Sequence, residues 1–344
     1  MFVRAKLLGS FLALALGSLP AAAGAGESLD ELPRSKRATG DDAAELAPVG
    51  LTDARSLTKH HWAVSYRYAW IHADDVLDKD QHESTDEVLE QFQRTPTKRN
   101  LQVHLVGISY APFSRLTVSA KLPILVQKTH SIAAGPPRES FATSSGGFGD
   151  LELRGLFPFM RNRNQSLQLE LGLTVPTGSV SEMGRGPEGV SELLTLPQQT
   201  GSGTVDLLSG FVYRGRWQTV SWGFVGRGRF RMYDNHKDYR LGNQYLLSTW
   251  FSQSWTEWMS TSLRLSWNRR EAGQPRSSAT VDPEYDPKRL AGEFLEIGPG
   301  VNFKMPILGR PRLGVEMTWP FYQTVQGPQL EHDWQLTSGV QWVF

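Results

Sequence analysis

The chain has 344 residues, a net charge of +1 and no cysteine. Its balanced charge gives no bulk attraction for nucleic acid, and the missing cysteines exclude disulfides, thiolate metal sites, a cysteine nucleophile and a lipid anchor on cysteine. Thirty-three glycines and eleven tryptophans are more than a soluble domain usually carries and require a structural reason.

Arg4 and Lys6 precede an apolar run from Leu7 to Leu19, and small residues follow as PAAAGAGES. This is the pattern of a secretory signal peptide over residues 1–25, cleaved after Ala23 or Ala25. The apolar run is too short for a membrane helix. Residues 26–59 are polar and mixed in charge, with Pro33, Gly40 and Pro48. They read equally as a flexible periplasmic segment or as a partial plug.

From His60 the pattern becomes one of alternating stretches. Twelve strands are expected, over 60–73, 99–111, 115–128, 148–159, 165–177, 203–215, 217–232, 243–254, 257–270, 291–304, 311–323 and 331–344. Every second link is short: Ala111–Arg115, Met160–Gln165, Gly215–Arg216, Ser254–Glu257 and Pro306–Arg310. The others, 74–98, 129–147, 178–202, 233–242, 271–290 and 324–330, are longer. A soluble sandwich has no reason to alternate so strictly. The pattern fits an all-β fold over 60–344, a transmembrane antiparallel up-and-down β-barrel of about twelve strands with short periplasmic turns and long extracellular loops.

The two faces of each strand agree. Leu116, Val118, Ala120, Leu122 and Ile124 make one apolar row; Val220, Trp222, Phe224 and Phe230 make another; Leu313, Val315, Met317, Trp319 and Phe321 a third. The opposite faces carry Lys121, then Arg227, Arg229 and Arg231, then Glu316. With an export signal, the apolar rows face lipid and the charged rows face the lumen. Phe113, Phe157, Phe159, Trp217, Trp255 and Trp258 stand where strands meet short links, the place of an interfacial aromatic belt. The chain ends TSGVQWVF; Gly339, Trp342 and Phe344 resemble the signal read by the barrel-assembly machinery of the outer membrane.

The expected solute path is lined by Arg67, Arg154, Asp206, Arg214, Arg227, Arg229, Arg231 and Arg264. Two readings stand side by side: a cross-linked wet core, or a guanidinium ladder that guides anions. Prolines at Pro123, Pro176 and Pro320 interrupt regular strands, either as strand ends or as kinks in the wall. No histidine sits beside a nucleophile motif, so no catalytic residue, enzyme activity, cofactor or metal site is expected. The acidic stretches 72–87 and 282–287 lack EF-hand spacing and read as solvated loops, with calcium or a divalent bridge to lipopolysaccharide as the alternative.

The segments FGDLELRGLF (148–157), LGLTVPTG (171–178) and GSGTVDLLSGFVY (201–213) are similar to the centre of an outer-membrane transporter family labelled for the MetA pathway of phenol degradation. That family is loosely similar to long-chain fatty acid and aromatic hydrocarbon channels. The resemblance implies passive uptake of small hydrophobic or aromatic solutes across a bacterial outer membrane, with no catalysis. A narrow anion-preferring porin is the alternative, and a structural or lipid-hydrolysing barrel the third. The partners implied are outer-membrane lipids and lipopolysaccharide, the assembly machinery and a small solute, but no nucleic acid.

Overall fold

A period-two chain with one apolar and one polar face is stable only if every strand edge is paired, and a closed ring achieves this. The computed structural model of the chain shows such a ring. It describes residues 47–52, 56–162, 164–274, 281–305 and 311–344. The expected signal peptide, 1–25, lies outside these residues.

The strands are β1 (Trp62–Lys79), β2 (Gln81–His82), β3 (Arg94–Phe113), β4 (Leu116–Ala133), β5 (Glu139–Phe148), β6 (Leu151–Arg161) and β7 (Gln165–Val175). Then follow β8 (Met183–Arg185), β9 (Ser191–Leu193), β10 (Asp206–Trp217), β11 (Val220–Arg231), β12 (Gln244–Ser254), β13 (Met259–Arg270), β14 (Gly292–Lys304) and β15 (Arg312–Val343). One helix, α1 (Thr85–Gln91), lies between β2 and β3. Its capping box pairs the Ser84 hydroxyl with the Glu87 N–H and the Glu87 carboxylate with the Ser84 N–H. Val88 and Phe92 then pack on Val76 and Leu330.

Eleven strand elements form the wall, in the order β15, β14, β13, β12, β11, β10, β7, β6, β4, β3, β1, and β15 pairs with β1 to close it. All wall pairings are antiparallel. At the closing seam the Trp62 N–H donates to the Phe344 carbonyl at 3.0 Å and the Phe344 N–H returns to Trp62 at 2.8 Å.

Three features differ from the expected strand boundaries. First, β1, β3 and β4 run several residues further than expected, because polar residues such as those of HADDVLDK (72–79) continue the pairing beyond the apolar band. Second, 139–147, expected within a loop, belongs to strand β5, paired to the upper half of β4. Third, 312–343 is one element where two strands were expected. Its first part pairs with β14 up to Val325 and the remainder with β1. Gly327, at φ 97°, sits at the bend, a conformation only glycine adopts without strain.

The distribution of side chains inverts that of a soluble protein. Val106, Ile108, Leu169, Leu171, Leu247, Phe251, Leu263 and Trp319 are exposed on the outer face, while Ser119, Lys121, Glu170, Ser252, Arg264 and Glu316 are buried inside. Phe113, Phe157, Phe159, Trp217, Trp255 and Trp258 are exposed at the end that carries the short links.

Candidate functional site

The lumen contains a layer of ion pairs. On β11 the predicted row Arg227, Arg229 and Arg231 points inward, and each guanidinium meets a carboxylate from another strand. Arg227 grips Glu170 in bidentate fashion, Nε to Oε2 at 2.8 Å and Nη2 to Oε1 at 2.9 Å. Arg229 pairs with Glu152, and Arg231 with Asp206. Arg154 stands between, 3.4 Å from Glu152 and 3.6 Å from Glu170. Across the barrel Arg264 donates to Glu316 at 2.7 Å and to Ser266 at 2.9 Å. Arg214 donates to Ser166 at 3.1 Å. The row is therefore neutralised rung by rung, as burial of charge requires. Glu152, Glu170 and Glu316, the carboxylates that complete this layer, were not among the predicted path residues; their inward parity was readable, their partners were not.

Residues 47–52 lie inside this layer. Arg67 Nε donates to the Val49 carbonyl at 2.9 Å, Arg227 Nη2 to the Thr52 carbonyl at 2.6 Å, and Arg312 to the Ala47 carbonyl. The Gly50 N–H donates to Glu316 at 3.2 Å. Ala47 and Leu51 join Val212, Val225 and Trp250 in a buried apolar cluster. The wall makes room with glycine: a Cβ on Gly314 or Gly339 would stand within 2.9 Å of the Val49 side chain. Gly339, predicted for assembly, thus also borders this segment; Trp342 and Phe344 lie in the closing seam with β1.

At the end with the long links, two loops meet inside the rim. Arg94 pairs with Glu192, and Arg99 with Glu284. Thr195 donates to Glu284 at 3.1 Å, and the Tyr285 hydroxyl to the Leu193 carbonyl. Burial, then the adjacent Glu284 carboxylate, push the Asp282 carboxyl from 3.8 up to about 7. A raised carboxyl pKa favours the closed loops fully below about pH 4, and that contribution is lost as pH rises through about 7. Hydrogen exchange at 281–291, corrected for its intrinsic pH dependence, is expected to quicken between about pH 4 and about pH 7, to level off above that, and to become flat in Asp282→Asn. Equal profiles for parent and variant would refute this.

The three segments that carry the family resemblance converge on one knot in the wall. β4 pairs with β6 over Thr117–Lys121 and with β5 from Ile124, one descending stretch whose register slips by one residue across Gly149 and Asp150. Pro123 stands at the change, and its carbonyl accepts from the Gly149 N–H at 2.8 Å. β7 ends at Val175, just before Pro176. Beyond it, among the described residues, β5 has β4 as its only strand partner, and the loop 176–205 lies against its side chains: the Ser145 hydroxyl donates to the Gln198 carbonyl at 2.7 Å, and Gln198 Nε2 donates to the Thr143 hydroxyl at 2.6 Å. Asp150 holds that loop, accepting from the Gly178 N–H at 3.1 Å, the Ser202 N–H at 2.9 Å and the Ser202 hydroxyl at 2.6 Å. Thr177 bridges the break, donating to the Gly149 carbonyl at 2.7 Å and accepting from the Leu151 N–H at 3.0 Å. Gly178 and Gly201 touch backbone to backbone; a Cβ on Gly178 would lie 2.5 Å from the Gly201 Cα. Pro320 stands apart from this knot, beside a register shift between β14 and β15 where the pairing resumes on both sides.

No family model matches the sequence, and no curated protein is similar to it. Solved structures are similar in fold. The COG4313 outer membrane channel from Pseudomonas putida F1 aligns with a TM-score of 0.57 at 14% identity, over 86% of this chain and 99% of that one. The transport unit of the autotransporter AIDA-I from Escherichia coli aligns at 0.51 and 10% identity, over 85% and 92%. A Pseudomonas aeruginosa FadL homologue aligns at 0.43 and 8% identity, over 88% and 96%. At identities this low, the two likenesses above 0.5 show the fold alone, a closed antiparallel barrel, and the site itself must supply the function.

Proposed function

We propose that the protein is an outer-membrane channel for passive uptake of small hydrophobic or aromatic solutes, narrowed by its own residues 47–52. Counting the two arms of β15 separately gives the twelve wall strands of an up-and-down barrel, with short turns to the periplasm and long loops outside. The observation that carries the solute class is the knot at Asp150. Below it every strand of the wall is paired on both sides; above it one edge of β5 has no strand partner among the described residues, and a loop lies against β5 on side-chain hydrogen bonds. An apolar solute that enters at the mouth is offered a sideways exit to the hydrocarbon there, so it need not pass the charged layer. The polar route through the lumen is the second reading, a narrow porin. Arg67, Arg227 and Arg312, which give donors to backbone carbonyls of 47–52, favour anions on that route.

The absence of native cysteine allows a direct test. An ideal Cβ on Gly147 of β5 lies 3.7 Å from the Thr200 methyl of the loop. In proteoliposomes, oxidised Gly147→Cys/Thr200→Cys is expected to lose most toluene-sized flux and to regain it with reductant, with small-ion conductance unchanged. Equal aromatic flux in the oxidised and reduced forms sinks the lateral exit. No flux or conductance above protein-free vesicles in any form sinks the channel.

A further inference from the structure

On most of the wall the apolar row faces outward, and the lower half of β3 obeys this with Val106 and Ile108. The upper half of β3 reverses it. Leu105 stands opposite Arg67, whose guanidinium reaches the Val49 carbonyl in the lumen. Residues directly opposite in a ladder share a face, so Leu105 points inward, and Val103 and Leu101 follow by alternation. The register sets Ile71 of β1 beside Leu101, and Leu125 and Pro123 of β4 beside Val103 and Leu105. All six are only partly buried.

The outward positions of the same stretch are polar. Asn100 accepts from the Trp70 indole at 3.3 Å and shares a hydrogen bond of 2.9 Å with His72 Nδ1. His104 Nδ1 shares one of 2.8 Å with the Tyr66 hydroxyl. Neither half of this reversal stabilises a barrel: polar groups face lipid, while leucine and valine face the lumen. The reason for it must lie inside.

The patch is bounded on each side. Arg67 marks its lower end, at the level of the ion-pair layer. Above it, Arg99 pairs with Glu284, and Gln127 Nε2 donates to the Pro197 carbonyl at 3.1 Å, so the rim loops roof it. Sideways, Leu125 stands opposite Gly147, on the strand whose far edge has no strand partner among the described residues. A Cβ on Gly149 would lie 2.8 Å from the Pro123 ring, so the patch runs directly into the knot at Asp150.

We propose that this patch is a lumenal binding site for one small uncharged aromatic molecule, held between the rim loops and the break beside β5. The site rests on the channel reading above and gives it a place where solute pauses. The six side chains offer an apolar ring contact and give a carboxylate or ammonium no partner, so a charged solute would be desolvated without compensation. From Leu101 to Leu105 the strand rises about 14 Å, room for a ring and too short for an extended long acyl chain.

The test is methyl NMR of the full chain in nanodiscs titrated with toluene. Nuclear Overhauser contacts from the toluene ring to the Leu101, Val103, Leu105 and Leu125 methyls are expected to appear and to saturate. Contacts to the lipid-facing Leu171 and Leu247, made by toluene dissolved in the bilayer, are expected to rise without saturating. Val103→Thr/Leu125→Asn nearly conserves volume and removes apolar surface. It is expected to raise the toluene midpoint at Leu101 and Leu105 about tenfold, the scale of one altered contact in an apolar pocket. Absence of saturating contacts in the parent, or an unchanged midpoint in the variant, overturns the site; a variant that does not fold leaves the parent's contacts to decide. Benzoate contacts as strong as those of toluene overturn the selection against charge. Toluene flux through the parent without these contacts overturns the site and leaves the channel, whereas saturating contacts without flux overturn the channel and leave the site.

Discussion

Deletion of residues 47–52 is expected to raise the unit conductance of the bilayer-inserted protein several-fold and to shift its ion preference toward anions. The segment crosses the charged layer at its most crowded level, between Arg227 on one side and Glu316 on the other. Three guanidinium groups, from Arg67, Arg227 and Arg312, donate to three of its carbonyls, and Leu51 is buried among Val212, Val225 and Trp250. Hydrogen bonds to charged groups contribute about 1.5–3 kcal/mol each, so the segment is held well against thermal exit. Without it those arginines lose their carbonyl partners while Glu316 loses only one backbone N–H, which makes the enlarged path more basic. A tether tests the same geometry in the opposite sense. Gly339 and Val49 are in contact, so oxidised Val49→Cys/Gly339→Cys should keep the small conductance and reduction should leave it near the parent value. A deletion variant with the conductance and reversal potential of the parent would falsify the plug.

Much of the wall was legible in the sequence because alternation is a local property. The strand at 165–175 follows from LQLELGLTV, and the neighbouring short link from its polar residues. Pro176 was legible as a break in that strand, but not as its end rather than a kink; β7 stops at Val175. What was not legible depends on contacts between distant parts of the chain. Arg229 and Glu152 are 77 residues apart, and nothing local in either segment says that they meet. The row of arginines therefore read either as a cross-linked core or as a ladder for anions, and the carboxylate on each rung favours the first. Strand β5 was hidden because its residues, ESFATSSGGF, are small and polar where they rise beyond the apolar band. Residues 47–52 have no periodicity at all; their place is set by carbonyls that accept from the wall, and backbone carbonyls leave no mark on a sequence. The knot at Asp150 lies between these cases. Its three segments were recognisable as motifs, but the reason for their glycines and for Asp150 appears only when Gly178 and Gly201 are seen in contact.

Glu170→Ala is expected to destabilise the barrel by about 3–5 kcal/mol, the usual cost of removing one partner from a buried ion pair. The Glu170 side chain is fully buried, it holds Arg227 in two hydrogen bonds, and it faces Arg154 at 3.6 Å. Arg154 already has Nε and Nη1 without a hydrogen-bond partner in the layer, so it is poorly placed to absorb the loss. The chain of charges Arg229, Glu152, Arg154, Glu170 and Arg227 has three cations to two anions; without Glu170 it has three to one. Repulsion and desolvation then act together, and water entering the gap recovers only part of the cost. The urea midpoint of refolding into vesicles should fall clearly, with the slope unchanged. Glu170→Gln, which retains an acceptor for Arg227, should fall less. Glu170→Leu/Arg227→Met removes both charges and should recover more than half of the loss, because an apolar pair of similar volume is often as stable as the ion pair it replaces. If Glu170→Ala unfolds within 1 kcal/mol of the parent, the layer is hydrated strongly enough that its ion pairs do not hold the wall, and the lumen at this level must be wider and wetter than the packing of Glu170, Arg227 and Thr52 describes.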